Sequence, residues 1–278
     1  MTTIDHTAYP AIIDAILAHT DVRGLMALRT TSKAFKQRVD AQLFPRAVFH
    51  ARGSSGGYVL TDPAGAPLPF APSGVRVLDL PGELADGPVG YWSSFSSLEA
   101  LRRAGGTVTD RRSAAFAPAT VVDWYDVPPG PGVRGQYIYL PPTTQRYVLH
   151  ISWRGARPEA IPRVKGADGL REVVIVRPER APPQLVAQLS HQFLPLMYDG
   201  GELTIVGQDV SIYELDESPE GMREWLAAQL RTQLMRKSTA QPRKVDAAMA
   251  RFRWLSLAEW LAELGDTAKM ESTWPEPG

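Results

Sequence analysis

No cysteine occurs in the 278 residues. That rules out disulfides, thiolate metal ligands and cysteine nucleophiles together, and it fits a reducing compartment. Asparagine is also missing and arginine heavily outnumbers lysine. With abundant Ala, Gly and Pro, this marks a biased coding composition rather than a function. Surplus charge is lacking too: 30 Lys and Arg balance 30 Asp and Glu. A dedicated nucleic-acid binder normally carries excess positive charge to neutralise phosphates, so nucleic acid is not an expected partner. No run reaches the roughly 18 apolar residues that a bilayer span needs. The opening MTTIDHTAYPAIIDAILAHTD has no basic start and carries acids within its apolar stretch, unlike a signal peptide. The expectation is a soluble protein of the cytoplasm or nucleus that does not engage membranes.

What is present suits a folded chain. A 44% hydrophobic and 22% charged composition supplies enough apolar surface for a sizeable core. The length allows a small module followed by a larger domain. Residues 9–49 read as helices. Ile12, Ile13, Ile16 and Leu17 fall on one helical face, and Asp21 can cap a second helix carrying Leu25, Met26 and Leu28. Thr31 or Ser32 can cap a third with Phe35, Val39 and Leu43, and Pro45 ends the pattern. Gly53 to Gly57 and Pro63 to Gly74 are turn-rich around a short strand at Tyr58, Val59 and Leu60, a hairpin-like connector over 51–74.

From residue 75 short apolar strands recur: VRVLDL, LEALRRAGG, TVVDWYDV, RYVLHISW, LREVVIVRP and GELTIVG. Inward pairs two residues apart align as Leu78/Leu80, Val122/Trp124, Leu149/Ile151, Val173/Ile175 and Leu203/Ile205, with Leu101 and Arg103 in the LEALRRAGG segment. The spacing is close to the 20–29-residue period of leucine-rich repeats. A strand followed by a crossover at this spacing predicts parallel neighbours. Gln184 to Tyr198 reads as a helix through Leu185, Val186, Leu189, Phe193 and Leu196. Pro219 starts another with Met222, Trp225, Leu226, Gln229 and Leu230. Arg236 to Arg243 reads as a basic loop, and ARFRWLS as a strand. Ser256 is placed to cap LAEWLAEL, which ends at Gly265 ahead of a loose tail over 266–278.

The segment YPAIIDAILAHTDVRGLMALRTTSKAFKQRVDAQLF, residues 9–44, resembles the F-box in its divergent fungal form. The family's hydrophobic-Pro opening corresponds to Tyr9 and Pro10, its first-helix aliphatics to Ile13, Ile16 and Leu17, and its leucine pair to Leu25 and Leu28. Its closing small-basic-aromatic element corresponds to Ser32, Lys33, Ala34 and Phe35. Tyr9 stands where leucine is usual and Ile12 where an acid is usual. The later strands resemble an irregular leucine-rich repeat through Val75-Leu78-Leu80 and Leu170-Val173-Ile175, without the family's asparagine ladder.

The resemblance implies an α/β chain with a three-helix F-box-like module over 1–50. An irregular leucine-rich-repeat-like strand and crossover domain with C-terminal helices then covers 75–265. It implies a non-enzymatic, substrate-recruiting subunit of a Skp–cullin–F-box ubiquitin ligase that needs no cofactor or metal. Tyr9, Pro10, Ile13, Ile16, Leu17, Leu25, Leu28 and Phe35 would bind the Skp-type adaptor, and the repeats would bind a protein substrate. Ile16, Leu28 and Val39 are the candidates for the module's own core. The alternative is a repeat scaffold whose box no longer binds an adaptor.

Two motif matches point elsewhere. Gly53-Ser54-Ser55-Gly56-Gly57 fits the hydrolase nucleophile elbow, but the strand-and-turn sequence YVLTDPAG comes next, where a helix must present the serine. Gly130 to Gly135 fits a dinucleotide fingerprint, but the extended QYIYLPP comes next, where a helix N-terminus must hold the pyrophosphate. His6, His19, His50, His150 and His191 lack paired-ligand spacing, and His150 reads as a surface residue. Asp123 and Asp126 read as solvated carboxylates at a sheet edge. The C-terminal cluster of Arg223, Arg231, Arg236, Lys237, Arg243, Lys244, Arg251 and Arg253 reads as a solvated face, or else as a patch for an acidic partner.

Overall fold

Short runs of β-branched and aliphatic residues, bounded by Pro and Gly, become the strands of a nine-stranded sheet. The computed structural model describes residues 10–20, 22–31, 35, 38–39, 46–52, 57–62, 65–68, 75–81, 95–108, 111, 115–127, 137–153, 162–166, 168–176, 183–207, 219–237, 241–265 and 271–272. The strands are β1 (Arg46–Arg52), β2 (Gly57–Thr61), β3 (Val77–Leu80), β4 (Ala100–Ala104), β5 (Thr120–Val127), β6 (Tyr137–Tyr139), β7 (Arg146–Trp153), β8 (Arg163–Lys165), β9 (Glu172–Val176), β10 (Glu202–Gly207) and β11 (Phe252–Ser256). The large sheet runs β2-β1-β3-β4-β5-β7-β9-β10-β11, so from β3 onward position in space follows position in the chain. β2 is antiparallel to β1, and every other pairing is parallel. β6 and β8 form a small parallel sheet of their own within the crossovers.

A backbone ladder precedes the strands. The carbonyl of Arg76 accepts from the N–H groups of Glu99 and Ala100, that of Glu99 from Ala119 and Thr120, that of Ala119 from Gln145 and Arg146, and that of Gln145 from Arg171 and Glu172. One carbonyl thus meets two donors at the same place in four consecutive units. Such recurrence satisfies the main chain where each crossover turns into its strand. The expected parallel arrangement is therefore observed, and each unit stacks on its neighbour in chain order.

Side chains alternate between two faces. On the first face, Leu78, Leu101, Val121, Tyr147, Val173, Leu203 and Phe252 stand in register, as do Leu80, Arg103, Asp123, Leu149, Ile175, Ile205 and Trp254. Two of the inward pairs read from the sequence differ from this. In β5 the pair is Val121/Asp123; Val122 and Trp124 point to the opposite face. In β7 the equivalent pair is Tyr147/Leu149, with Ile151 one step further along. The apolar run VVDW offers either parity, and only the neighbouring register selects one. The helical pattern over 9–49 also does not extend to Arg46–Arg52, where Ala47 and Phe49 join the first-face core as part of β1.

Helices α3 (Pro183–Gln192), α4 (Leu194–Tyr198), α5 (Pro219–Lys237) and α6 (Pro242–Met249) cover the first face. They do so through Leu185, Leu189, Met197 and Val245, and through the stripe Leu226, Leu230 and Leu234 of α5, spaced one turn apart. The single helix expected over 184–198 breaks at Phe193, since Pro195 cannot supply an intrahelical N–H donor. α5 runs on to Lys237 and Pro242 starts α6, so the basic loop expected at 236–243 is mostly helical at its two ends; residues 238–240 lie outside the described set.

The second face carries Val122, Val148, Val174 and Val206, covered by Trp260 of α7 (Leu257–Leu264). The expected cap is present. Ser256 Oγ accepts from the Glu259 N–H, and the Glu259 carboxylate accepts from the Ser256 N–H. These backbone and side-chain bonds hold the Glu259 carboxyl below its usual range. Gly265 comes next at φ 54°, the positive φ that ends a helix cheaply.

Candidate functional site

Two regions combine exposed recognition chemistry with a built framework. The first is N-terminal. Helix α1 (Pro10–His19) opens on a proline at its first position, and α2 is Val22–Arg29. Ile13 and Leu17 of α1 are buried with Leu25 of α2 and with Val39, while Leu28 and Phe35 are half-buried against them. Asp14 Oδ1 accepts from Arg38 Nη1 at 3.2 Å, tying Arg38, the neighbour of Val39, to α1. This small core is separate from the clusters on the sheet. A helical step of 100° turns Ile12 and Ile16 away from Ile13 and Leu17, and they remain 58% and 48% exposed. Ile16, expected in the module's core, is therefore on its surface. Val39 is inside as expected. Tyr9 lies outside the described residues, as does the side chain of Pro10.

The second region is the second face of the sheet. Its central row runs Val48, Asp79, Arg102, Val122, Val148, Val174, Thr204 and Arg253. The Asp79 carboxylate is fully buried between two guanidinium groups, with Arg46 Nε at 2.7 Å and Arg102 Nε at 3.2 Å. Burial pushes the Arg102 pKa down to about 10, against the pull of Asp79 and with some help from Arg46. Arg102 also lies under the Trp124 ring, 5.0 Å from its centroid. Trp124 in turn stacks on His150 at 4.6 Å, and His150 meets Trp260 at a tilt.

His150 is thus half-buried rather than on the surface, packed between Trp124 and Trp260 and bonded to Glu271. Its Nε2–H donates to the Glu271 carbonyl at 2.5 Å. Desolvation lowers its pKa from 6.5 to about 4, although the Glu271 hydrogen bond pulls upward. A folded value below the unfolded one means that the unfolded chain binds this proton first. Stability from this group is therefore present above about pH 6.5 and is lost as pH falls towards 4. The loss expected by pH 4 is at most about 3 kcal/mol. Urea unfolding across this range should show the slope, and His150→Gln should flatten it.

Glu271 itself is buried. Its carboxylate accepts a two-pronged contact from Arg146 Nε and Nη2, both at 2.9 Å, and Glu172 pairs with the same guanidinium. Glu271, which falls within the loose tail expected over 266–278, is hence anchored. Beside this contact a cavity of about 490 Å³ is lined by Thr120, Thr204, Arg253, Trp260 and Glu263, among others.

Asp123 and Asp126 lie on opposite faces, so they form no pair. Asp123 is fully buried in the first-face core, where both carboxylate oxygens accept from Arg103 at 2.7 Å and Oδ2 accepts from the Tyr147 hydroxyl at 2.9 Å. Arg103 Nη1 donates to the Tyr139 carbonyl of β6. The sequence shows Arg103 and Asp123 as charged residues inside strands. Their pairing becomes visible only once β4 and β5 are set in register.

The remaining candidates are dispersed. Gly53–Gly56 and Gly130–Gly135 lie outside the described residues, and the element next in the chain is a strand in both cases, β2 and β6 respectively. The C-terminal cations are partly neutralised: Arg231 pairs with Asp246, Arg253 with Glu263, Arg251 donates to the Met197 carbonyl, and Lys244 lies over Tyr198. Among the described residues no group of three His, Asp or Glu could hold a metal, and no helix is long and apolar enough to cross a membrane. The chain matches no protein-family model, and no curated protein or solved structure is detectably similar to it.

Proposed function

We propose that this chain is a substrate-recruiting F-box subunit of a Skp–cullin–F-box ubiquitin ligase, non-enzymatic, with a leucine-rich-repeat-like sheet that receives a protein substrate. The observation that carries the reading is the N-terminal helical unit. It has a small core of its own, yet it leaves Ile12 and Ile16 exposed on α1, which in the chain begins at the hydrophobic-Pro opening. Large aliphatics on the outer side of a helix with its own core suit contact with a partner better than solvent. The parallel strands in chain order, stepping by 20 to 30 residues between register partners from Leu78 to Leu203, support the repeat half of the reading.

The test is calorimetric titration of a Skp-type adaptor, with thermal melts of each variant. Ile16→Asp should weaken binding by more than tenfold while leaving the Tm nearly unchanged, since the residue supports no buried layer. Tyr9→Ser with Pro10→Ala should act in the same direction. Leu25→Ala should lower both binding and Tm, because a buried leucine typically contributes about 2–5 kcal/mol. Absence of binding by the wild-type chain at tens of micromolar would overturn the ligase reading and leave a repeat scaffold.

A further inference from the structure

We propose that the second face of the sheet at Arg146 and His150 is a recognition site for a glutamate-bearing segment of a partner protein, and that the chain's own Glu271 occupies it as an intramolecular competitor. The inference rests on the substrate-binding half of the proposed function and names what that face reads. Glu271 is held at two points of different kind. Arg146 grips the carboxylate with two parallel hydrogen bonds at 2.9 Å, and His150 Nε2–H donates to the backbone carbonyl of the same residue. Reading a side chain and its own main chain together fixes their separation. The site therefore suits glutamate and disfavours aspartate, which is shorter by one methylene. The planar guanidinium fork adds orientation that a lysine would not supply.

The framework beneath is rigid. Arg146 and His150 project from β7, a central strand, and His150 is clamped between Trp124 and Trp260. The occupant comes from far along the chain, 125 residues beyond Arg146, and only a short connection separates it from the end of α7 at Gly265. The adjoining cavity of about 490 Å³, with Thr120, Thr204 and Arg253 on its wall, leaves room for residues flanking an incoming glutamate. A tethered ligand acts at an effective concentration in the millimolar range, so a partner segment in trans meets an apparent affinity reduced by the occupant.

The test uses the full-length chain and a fluorescein-labelled peptide of residues 266–278, DTAKMESTWPEPG, with binding read by anisotropy. The Glu271→Ala chain should bind this peptide at least tenfold more tightly than wild type, because the competitor in cis is gone. The same peptide with alanine in place of the glutamate at position 271 should bind at least tenfold more weakly, and Arg146→Ala in the Glu271→Ala chain should abolish capture. Glu271→Gln, which keeps one side-chain oxygen as an acceptor for Arg146 but not the charge, should fall between. Equal binding by the wild-type and Glu271→Ala chains would overturn the proposal, as would no binding by either at hundreds of micromolar. Cooperative unfolding of the whole sheet on Glu271→Ala would equally overturn it, by making the contact part of the core. Adaptor titration on the same preparations separates the two ideas. Lost peptide capture with intact adaptor binding sinks this site alone, and the converse sinks the ligase reading alone.

Discussion

Asp123→Ala is expected to remove about 3–5 kcal/mol of unfolding free energy, as breaking one side of a buried ion pair typically does. The carboxylate lies at zero exposure in the first-face layer. It neutralises Arg103 through two bonds at 2.7 Å and also accepts from Tyr147. Removing it strands a guanidinium charge among Leu80, Leu101 and Leu149 and leaves a buried phenol without this acceptor. Burial, then the Asp123 charge, holds the Tyr147 pKa well above 10, so the hydroxyl stays a donor throughout the accessible pH range.

The ion pair need not stabilise the fold relative to an apolar layer. Desolvating two charges costs several kcal/mol each, and the neighbouring register positions are occupied by leucine and isoleucine. Arg103→Met with Asp123→Leu and Tyr147→Phe is therefore expected to recover most of the loss seen with Asp123→Ala, and the triple variant should melt near the wild type. Urea unfolding of the two proteins decides it. A loss below about 1 kcal/mol for Asp123→Ala would mean that water reaches the pair.

The pair also shows where sequence patterning stops. Strand positions after residue 75 are legible because β-branched and aliphatic runs sit between Pro- and Gly-rich stretches, and the cap at Ser256 is legible because its hydrogen bonds are local. Parity within a strand is not legible where four successive residues could face the core, as in Val121–Trp124. Choosing Val122 and Trp124 as inward puts Asp123 in solvent; the register with Leu101 and Tyr147 puts it at the centre. The Glu271 contact is invisible for a different reason. An isolated glutamate in a polar tail carries no local signal, and its partners lie more than a hundred residues away. In the N-terminal unit, periodicity identifies α1 as amphipathic, but the adjacent pairs Ile12/Ile13 and Ile16/Leu17 span too wide an arc to say which member faces inward. Packing against Leu25 and Val39 settles that.

Leu149→Ala is expected to cost about 2–5 kcal/mol and to be felt on both sides of β7, because the residue is flanked in register by Asp123 of β5 and Ile175 of β9. In a stacked architecture each unit is stabilised mainly by its two neighbours. A cavity at a central strand therefore weakens two interfaces at once. The urea m-value should stay unchanged if the sheet still unfolds as one unit, and only the midpoint should move. Trp260→Ala is the informative contrast. Its loss is nominally about 3–5 kcal/mol, but α7 covers the second face chiefly through Trp260, with help from Leu257, Leu261 and Leu264. The helix can then lift away locally, and the first-face layer stays intact. Hydrogen exchange should separate the two: Leu149→Ala lowers protection together across β5, β7, β9 and β10, whereas Trp260→Ala strips α7 first and leaves those strands protected. Uniform loss of protection in the Trp260→Ala chain would show that both faces belong to one cooperative unit, and that the C-terminal helix is not a separable cover on the sheet.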